Sequence, residues 1–215
     1  MKRILCYGDS NTWGYTPGTG ERFDENTRWT ALLQKQLGEA FCVVEAGMNA
    51  RTTSFSDPFQ DYLNGRQALP YTLVPTKPLD CVVVSLGTND LKYGGAAWSA
   101  RGLDALLKAI IGADTLFPGS TPIFPEGCKL LVISPIRLHP GLDAANPDNV
   151  FFGKYEDSCR FAELFAPVAA AHNAEFLDAS LYGEPAETDH VHMDADSHRR
   201  LAAAVAEKLQ KMFCV

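Results

Sequence analysis

The sequence has no apolar run long enough to cross a membrane, so no membrane association is expected. Its first apolar stretch, Ile4-Leu5-Cys6-Tyr7, meets Gly8 and Asp9 almost at once and is too short for the core of a signal peptide. Cationic clusters are also missing: 19 Lys and Arg stand against 26 Asp and Glu, a formal net charge of −7. Nucleic-acid binding relies on grouped cations to neutralise phosphates and is therefore not expected. The six cysteines, Cys6, Cys42, Cys81, Cys128, Cys159 and Cys214, show no CxxC metal spacing. Several lie in apolar stretches and read as buried, reduced thiols, which fits a cytoplasmic protein. Repeats and low-complexity tracts are absent, excluding solenoids and coiled coils.

What remains is a composition of 46% hydrophobic and 21% charged residues over 215 positions, enough for one well-buried domain spanning residues 1–215. Strand-like and helix-like segments alternate along it. Lys2 to Tyr7, Phe41 to Ala46, Asp80 to Leu86, Lys129 to Ser134 and Glu175 to Asp178 read as strands. Arg28 to Leu37 has helical spacing and stops at Gly38, and Gly65 to Leu73 is a short helix confined by Pro70 and Pro75. Further helices are expected from Trp98 to Leu116 and from Tyr155 to His172, with a kink or break at Pro167. A final helix is capped by Asp194, with Leu201, Val205, Leu209 and Met212 facing the core. Residues 136–149 read as a long loop. This alternation predicts an α/β fold, a three-layer α/β/α sandwich around a parallel sheet of about five strands.

Three strand ends carry distinctive loops: Gly8-Asp9-Ser10, Gly47-Met48-Asn49 and Gly87-Thr88-Asn89-Asp90. In a parallel sheet these ends share one edge, where ligands bind. Ser10 supplies a hydroxyl nucleophile, while the Ser10 and Gly47 amides and the Asn89 carboxamide are candidate donors to an oxyanion. A serine hydroxyl needs a base, and the base needs an orienting acid. Asp189 and His192 stand three apart just before the last helix and can supply both. His190 competes as the base, but it adjoins Asp189, and neighbouring side chains usually point apart. His139 has no obvious partner, and His172 and His198 read as surface residues. A zinc site from Asp189, His190, His192 and Asp194 would leave Ser10, Gly47 and Asn89 unexplained, so no metal and no cofactor is expected.

These four blocks, Gly8-Asp9-Ser10, Gly47, Gly87-Thr88-Asn89-Asp90 and Asp189-xx-His192, resemble the SGNH hydrolases, the GDSL family of esterases and lipases. Arg3 to Ser10, Asn49-Ala50-Arg51-Thr52-Thr53 and Leu86 to Asp90 are most similar to small bacterial arylesterases and acyltransferases. The resemblance implies a flavodoxin-like sheet and a serine esterase with Ser10, His192 and Asp189 as its triad. Its substrate would be a small aryl or short-chain acyl ester, with acyl transfer to alcohols as an accompanying reaction. Carbohydrate acetylesterase or thioesterase activity on the same machinery is the alternative. A non-catalytic α/β module holding an anion at the strand ends is a further reading, though no phosphate-binding glycine motif is present. Asn11 departs from the leucine usual beside the nucleophile and is read as altering packing or substrate fit. Asn11, Trp13 and Trp98 are the expected substrate contacts. Aromatic and Pro/Gly-rich loops around residues 93–98 and 118–126 point to a homo-oligomer.

Overall fold

The five apolar runs form strands β1 (Lys2–Gly8), β2 (Phe41–Gly47), β3 (Cys81–Ser85), β4 (Lys129–Ser134) and β5 (Glu175–Asp178) in the computed structural model, which describes residues 1–214. Every adjacent pair is parallel, in the order β2-β1-β3-β4-β5. Successive side chains of a strand leave opposite faces of the sheet, so these runs must be apolar throughout if both faces are covered. Leu5, Tyr7, Val82, Val84, Leu130 and Val132 pack into one layer. Ile4, Cys6, Cys81, Val83, Leu131 and Ile133 pack into the other. The expected three-layer sandwich is thus observed.

The helices are α1 (Ser10–Trp13), α2 (Trp29–Leu37), α3 (Gly65–Thr76), α4 (Ala96–Ile111), α5 (Ala113–Leu116), α6 (Leu142–Ala145), α7 (Tyr155–Ser158), α8 (Phe161–Ala171) and α9 (Ala195–Phe213). Leucines of α3 and α4 and the phenylalanines of α8 cover the first face, and α2 and α9 cover the second. None of the helices among the described residues is long and apolar enough to cross a membrane.

Several boundaries differ from expectation for local reasons. The helix expected from Trp98 to Leu116 begins earlier and breaks at Gly112 into α4 and α5. Helix α3 runs past Pro70 and Pro75, its start secured by the Asn64 side chain, which accepts the Gln67 amide at 3.1 Å. The helix from Tyr155 divides near Arg160 instead of at Pro167, which lies inside α8. Asp194 does cap α9, accepting the Ser197 amide at 2.7 Å. Within the stretch 118–126, Ile123 and Phe124 turn into the core while the remaining residues are exposed.

Two histidines depart from the surface positions expected of them. His198 is buried between α9 and α2, where its Nδ1 accepts the Trp29 amide at 3.2 Å. Burial pushes its pKa down to about 4, so the ring is neutral in the fold. His172 is bonded to Asp104 at 2.8 Å, fastening the end of α8 to α4.

Gly47 ends β2 against the backbone of α1. A Cβ there would lie 2.1 Å from the Trp13 nitrogen and 2.5 Å from the Thr12 carbonyl carbon, closer than any side chain is tolerated. Gly47→Ala is expected to lower stability by about 1–3 kcal/mol through overpacking, read as a lower urea midpoint. An unchanged midpoint would contradict this close approach.

Candidate active site

In this strand order the chain reverses direction of winding between β1 and β3, and the crevice beyond their carboxyl ends is the natural ligand site. Ser10 directly follows β1, and the turn Thr88–Lys92 follows β3. Register brings the loops level, since Gly8 pairs with Gly47 on one side and with Ser85 on the other. The Asp9 carboxylate accepts the Asn11 amide at 3.0 Å and so fixes the turn that presents Ser10.

The far end of the chain meets this turn. His192 Nε2 lies 2.9 Å from Ser10 Oγ, placed to accept the hydroxyl proton. His192 Nδ1 lies 2.7 Å from Asp189 Oδ2, to which it donates. The other Asp189 oxygen accepts the Val191 and His192 amides at 3.0 and 2.9 Å. Burial alone would raise the Asp189 pKa, but the imidazole and the two amides outweigh it and hold the carboxyl below its ordinary value. The Tyr15 ring stacks on His192 with centroids 4.1 Å apart, which restricts the imidazole further.

Asn11 does not line the cavity onto which Ser10 opens. Its side-chain oxygen accepts the Met193 amide at 2.9 Å, tying the His192 loop to the nucleophile turn. Of the two roles expected of Asn11, packing and substrate fit, this bond supports the first.

Ser10 opens into a cavity of about 190 Å³ whose floor includes Thr88, Asn89 and His192. Asn49, Ala50 and Tyr15 line it on one flank, and Lys92, Phe151 and Val191 complete it. Trp13 and Trp98, expected here, do not line it. Trp13 lies against the Arg22 guanidinium, and Trp98 is 55% exposed with its ring against Phe55. Tyr15, two residues after Trp13, and Phe151, from a loop remote in sequence, supply the aromatic walls instead.

Gly47 likewise does not line the cavity. Three residues on, Ala50 adopts φ +63°, a left-handed conformation unusual for any residue with a Cβ. Its amide has no protein acceptor among the described residues, and neither has that of Ser10. Arg51 anchors this loop: its guanidinium donates to the Gly8 carbonyl at 2.9 Å and to the Ala46 carbonyl, and it stacks over the Tyr7 ring at 4.2 Å. The Arg51 carbonyl in turn accepts one N–H of Asn89 at 3.1 Å, leaving the second N–H of that carboxamide for the cavity.

The zinc alternative does not assemble, because His190 turns away from Asp189. It stacks on His139 with centroids 4.6 Å apart, and both rings reach Glu187. These three side chains are close enough to share an ion. However, His139 Nδ1 accepts the Gly141 amide at 3.0 Å, so its proton resides on Nε2, the atom facing Glu187. Glu187 Oε1 lies 3.2 Å from that atom, and Glu187 Oε2 lies 3.6 Å from His190 Nε2.

A parallel α/β sheet with a serine, an imidazole and a carboxylate in sequence at its carboxyl edge defines a serine hydrolase without a nucleophile elbow. The chain belongs to the GDSL-like lipase/acylhydrolase family, whose model matches residues 6–203. Among solved structures it is similar to an aryl esterase of M. smegmatis, at 34% identity and a TM-score of 0.88, covering 98% of this chain and 99% of that one. It is also similar to a carbohydrate acetylesterase from Sinorhizobium meliloti, at 32% identity and a TM-score of 0.90, covering 99% and 100% of the two chains. No curated protein matches it. The family and these neighbours make the chain a carboxylic ester hydrolase.

Beside Asn89, the buried Asp90 carboxyl is pushed up to about 7 by burial, against the bonds it accepts from Thr53 and Ser99. Ser99 Oγ contacts both Asp90 Oδ2 at 2.9 Å and the Gly87 carbonyl at 3.2 Å but has one proton. A protonated Asp90 resolves this by donating to Ser99, which donates to Gly87. Between the unfolded value near 3.8 and about 7, the folded chain holds a proton that the unfolded chain releases. This carboxyl therefore disfavours folding increasingly as pH rises through that window. Asp90→Asn mimics the protonated form and should gain stability relative to wild type between pH 4.5 and 7.5, measured by urea unfolding. A constant difference across that range would refute the assignment.

Proposed function

We propose that the protein hydrolyses small carboxylic esters, short acyl groups such as acetyl foremost, through an acyl-enzyme on Ser10. The observation that carries this reading is the hydrogen-bonded series Ser10–His192–Asp189, at 2.9 and 2.7 Å, opening on a cavity of about 190 Å³. Ser10 Oγ attacks the ester carbonyl while its proton passes to His192 Nε2. Asp189, an anion held below its ordinary pKa, keeps the ring oriented and stabilises the imidazolium. The carbonyl oxygen becomes an oxyanion received by the Ser10 and Ala50 amides and the Asn89 carboxamide. The alcohol leaves with the proton from His192, and water then enters by the same route to release the acid.

Ala50 replaces Gly47 as the second backbone donor in this reading, which accounts for its unusual backbone. Holding a non-glycine residue there costs about 1–3 kcal/mol and is a recurrent mark of functional loops. Asn49-Ala50-Arg51 lies in the sequence where neither strand nor helix period holds, the one hint available beforehand.

Ser10→Ala is expected to lower kcat/KM for 4-nitrophenyl acetate by about 10⁴-fold or more and to abolish labelling by a fluorophosphonate. Asn89→Ala should cost about 10²-fold to 10³-fold in kcat. Ala50→Gly, which keeps the amide, should stay near wild type, whereas Ala50→Pro, which removes it, should be nearly inactive. Full activity in Ser10→Ala would overturn the whole reading. Full activity in Ala50→Pro would overturn the donor assignment alone.

Self-association is proposed through the Tyr93–Trp98 stretch, which Trp98 at 55% and Tyr93 at 41% exposure support. Light scattering should give a mass above the monomer, and Trp98→Glu should reduce it.

A further inference from the structure

Lys92 stands three residues after Asn89 on the turn that follows β3, and it lines the cavity that Ser10 opens into. Of the ten residues lining that cavity, it alone carries a permanent charge. Among the described residues its ammonium makes no ion pair and no hydrogen bond; it lies 5.3 Å from the Phe151 ring centroid. The carboxylates close enough to influence it are engaged elsewhere. Asp90 is bonded to Thr53 and Ser99, and Asp9 to the Asn11 amide. Asp57 accepts the Phe59 amide at 2.8 Å and the Tyr93 hydroxyl. Arg51, the other cation beside Asp9, is fixed on the Gly8 and Ala46 carbonyls.

A half-buried ammonium without a counter-ion is unfavourable, and lysines withdrawn from water are usually paired. Burial holds Lys92 below the ordinary lysine value, and the three carboxylates only oppose that effect. A chain of net charge −7 thus places an unpaired cation beside its nucleophile. An anionic substrate group entering the cavity would supply the missing partner.

Building on the ester-hydrolase reading, we propose that Lys92 recognises a carboxylate carried by the substrate, so that the preferred esters are half-esters of dicarboxylic acids or esters of hydroxy-carboxylic acids. The carboxylate, two oxygens bearing one delocalised charge, accepts a charge-assisted hydrogen bond from the ammonium while the ester carbonyl occupies the donors at Ser10, Ala50 and Asn89. This bond forms in the ground state and persists in the transition state, so it acts on kcat/KM chiefly through binding.

The test compares matched esters by proton release at constant pH. Monoethyl succinate against ethyl butanoate places the charge on the acyl side. 4-Acetoxybenzoate against 4-methylphenyl acetate places it on the alcohol side. In one pair the charged-to-neutral ratio of kcat/KM should fall by about tenfold or more in Lys92→Met, the weight of one charge-assisted contact. Lys92→Arg should keep the ratio. In the wild type the same ratio should shrink in 0.5 M sodium chloride, where exposed charges are strongly screened. Equal ratios in wild type and Lys92→Met for both pairs would overturn the proposal and leave the esterase reading intact. Should Lys92→Met fail to fold, a ratio in wild type that salt does not change would overturn it equally. A wild type that cleaves none of the four esters would overturn both readings.

Discussion

The hydrogen bond from the Met193 amide to the Asn11 side chain, 2.9 Å long and closing a separation of 182 residues, is the contact on which the site depends. A serine hydroxyl is acidified only by a base within hydrogen-bond reach, and here that base arrives from the opposite end of the chain. The Asn11–Met193 bond fixes the backbone one residue beyond each reacting group, so Ser10 and His192 have little freedom left to separate. Tyr15 stacks on the imidazole from the loop after α1, and the Asp189 carboxylate gathers the ring and two amides of its own turn. Acid and base thus come from one four-residue turn, which needs to be positioned only once.

The loops of Ala50 and Asn89, proposed to receive the oxyanion, are built by a second chain of dependence. Arg51 is held by carbonyls at the ends of β1 and β2 and by the Tyr7 ring, and its own carbonyl holds Asn89. A cation buried at 6% exposure is tolerable because several carbonyl dipoles surround it and Asp9 is close by. Loop geometry at Ala50 follows from this anchoring, since the residue after it cannot move without breaking three contacts. Strain stored at Ala50 is therefore maintained by Arg51.

Much of this was legible in the residues. The uninterrupted apolar runs of β1, β3 and β4 specify strands buried on both faces, and the glycine and asparagine turns that follow mark the edge where the site forms. Asp189 and His192 were readable because three residues suffice to fold one back on the other. The left-handed backbone of Ala50 was not, because such an alanine has no compositional signature; glycine is the residue that advertises such a position. Trp13 and Trp98 failed as pocket residues for a related reason. Aromatic character is visible in sequence, but the direction a loop turns is decided by tertiary contacts, which brought Tyr15 and Phe151 to the cavity. His198 was read as surface because one polar residue on an amphipathic helix is ordinarily solvated; packing of α9 on α2 buried it, and the Trp29 amide satisfied it.

The carboxyl groups around the nucleophile show how environment divides one chemistry into distinct roles. Asp189 is half-buried but accepts three hydrogen bonds, two from amides and one from an imidazole, and remains an anion that can stabilise positive charge on His192. Asp90 is fully withdrawn from water, and its pKa rises to about 7 despite its bonds to Thr53 and Ser99. Asp9 is intermediate, pushed up to about 6 by burial and restrained by the Asn11 amide and by the charges of His192, Lys92 and Arg51. A full negative charge at all three positions would oppose formation of an oxyanion at Ser10. With a pKa of about 7 Asp90 is partly protonated near pH 7, Asp9 at about 6 remains mostly an anion beside the charges of Arg51 and Lys92, and the anion at Asp189 contacts the imidazole through the nitrogen turned away from Ser10.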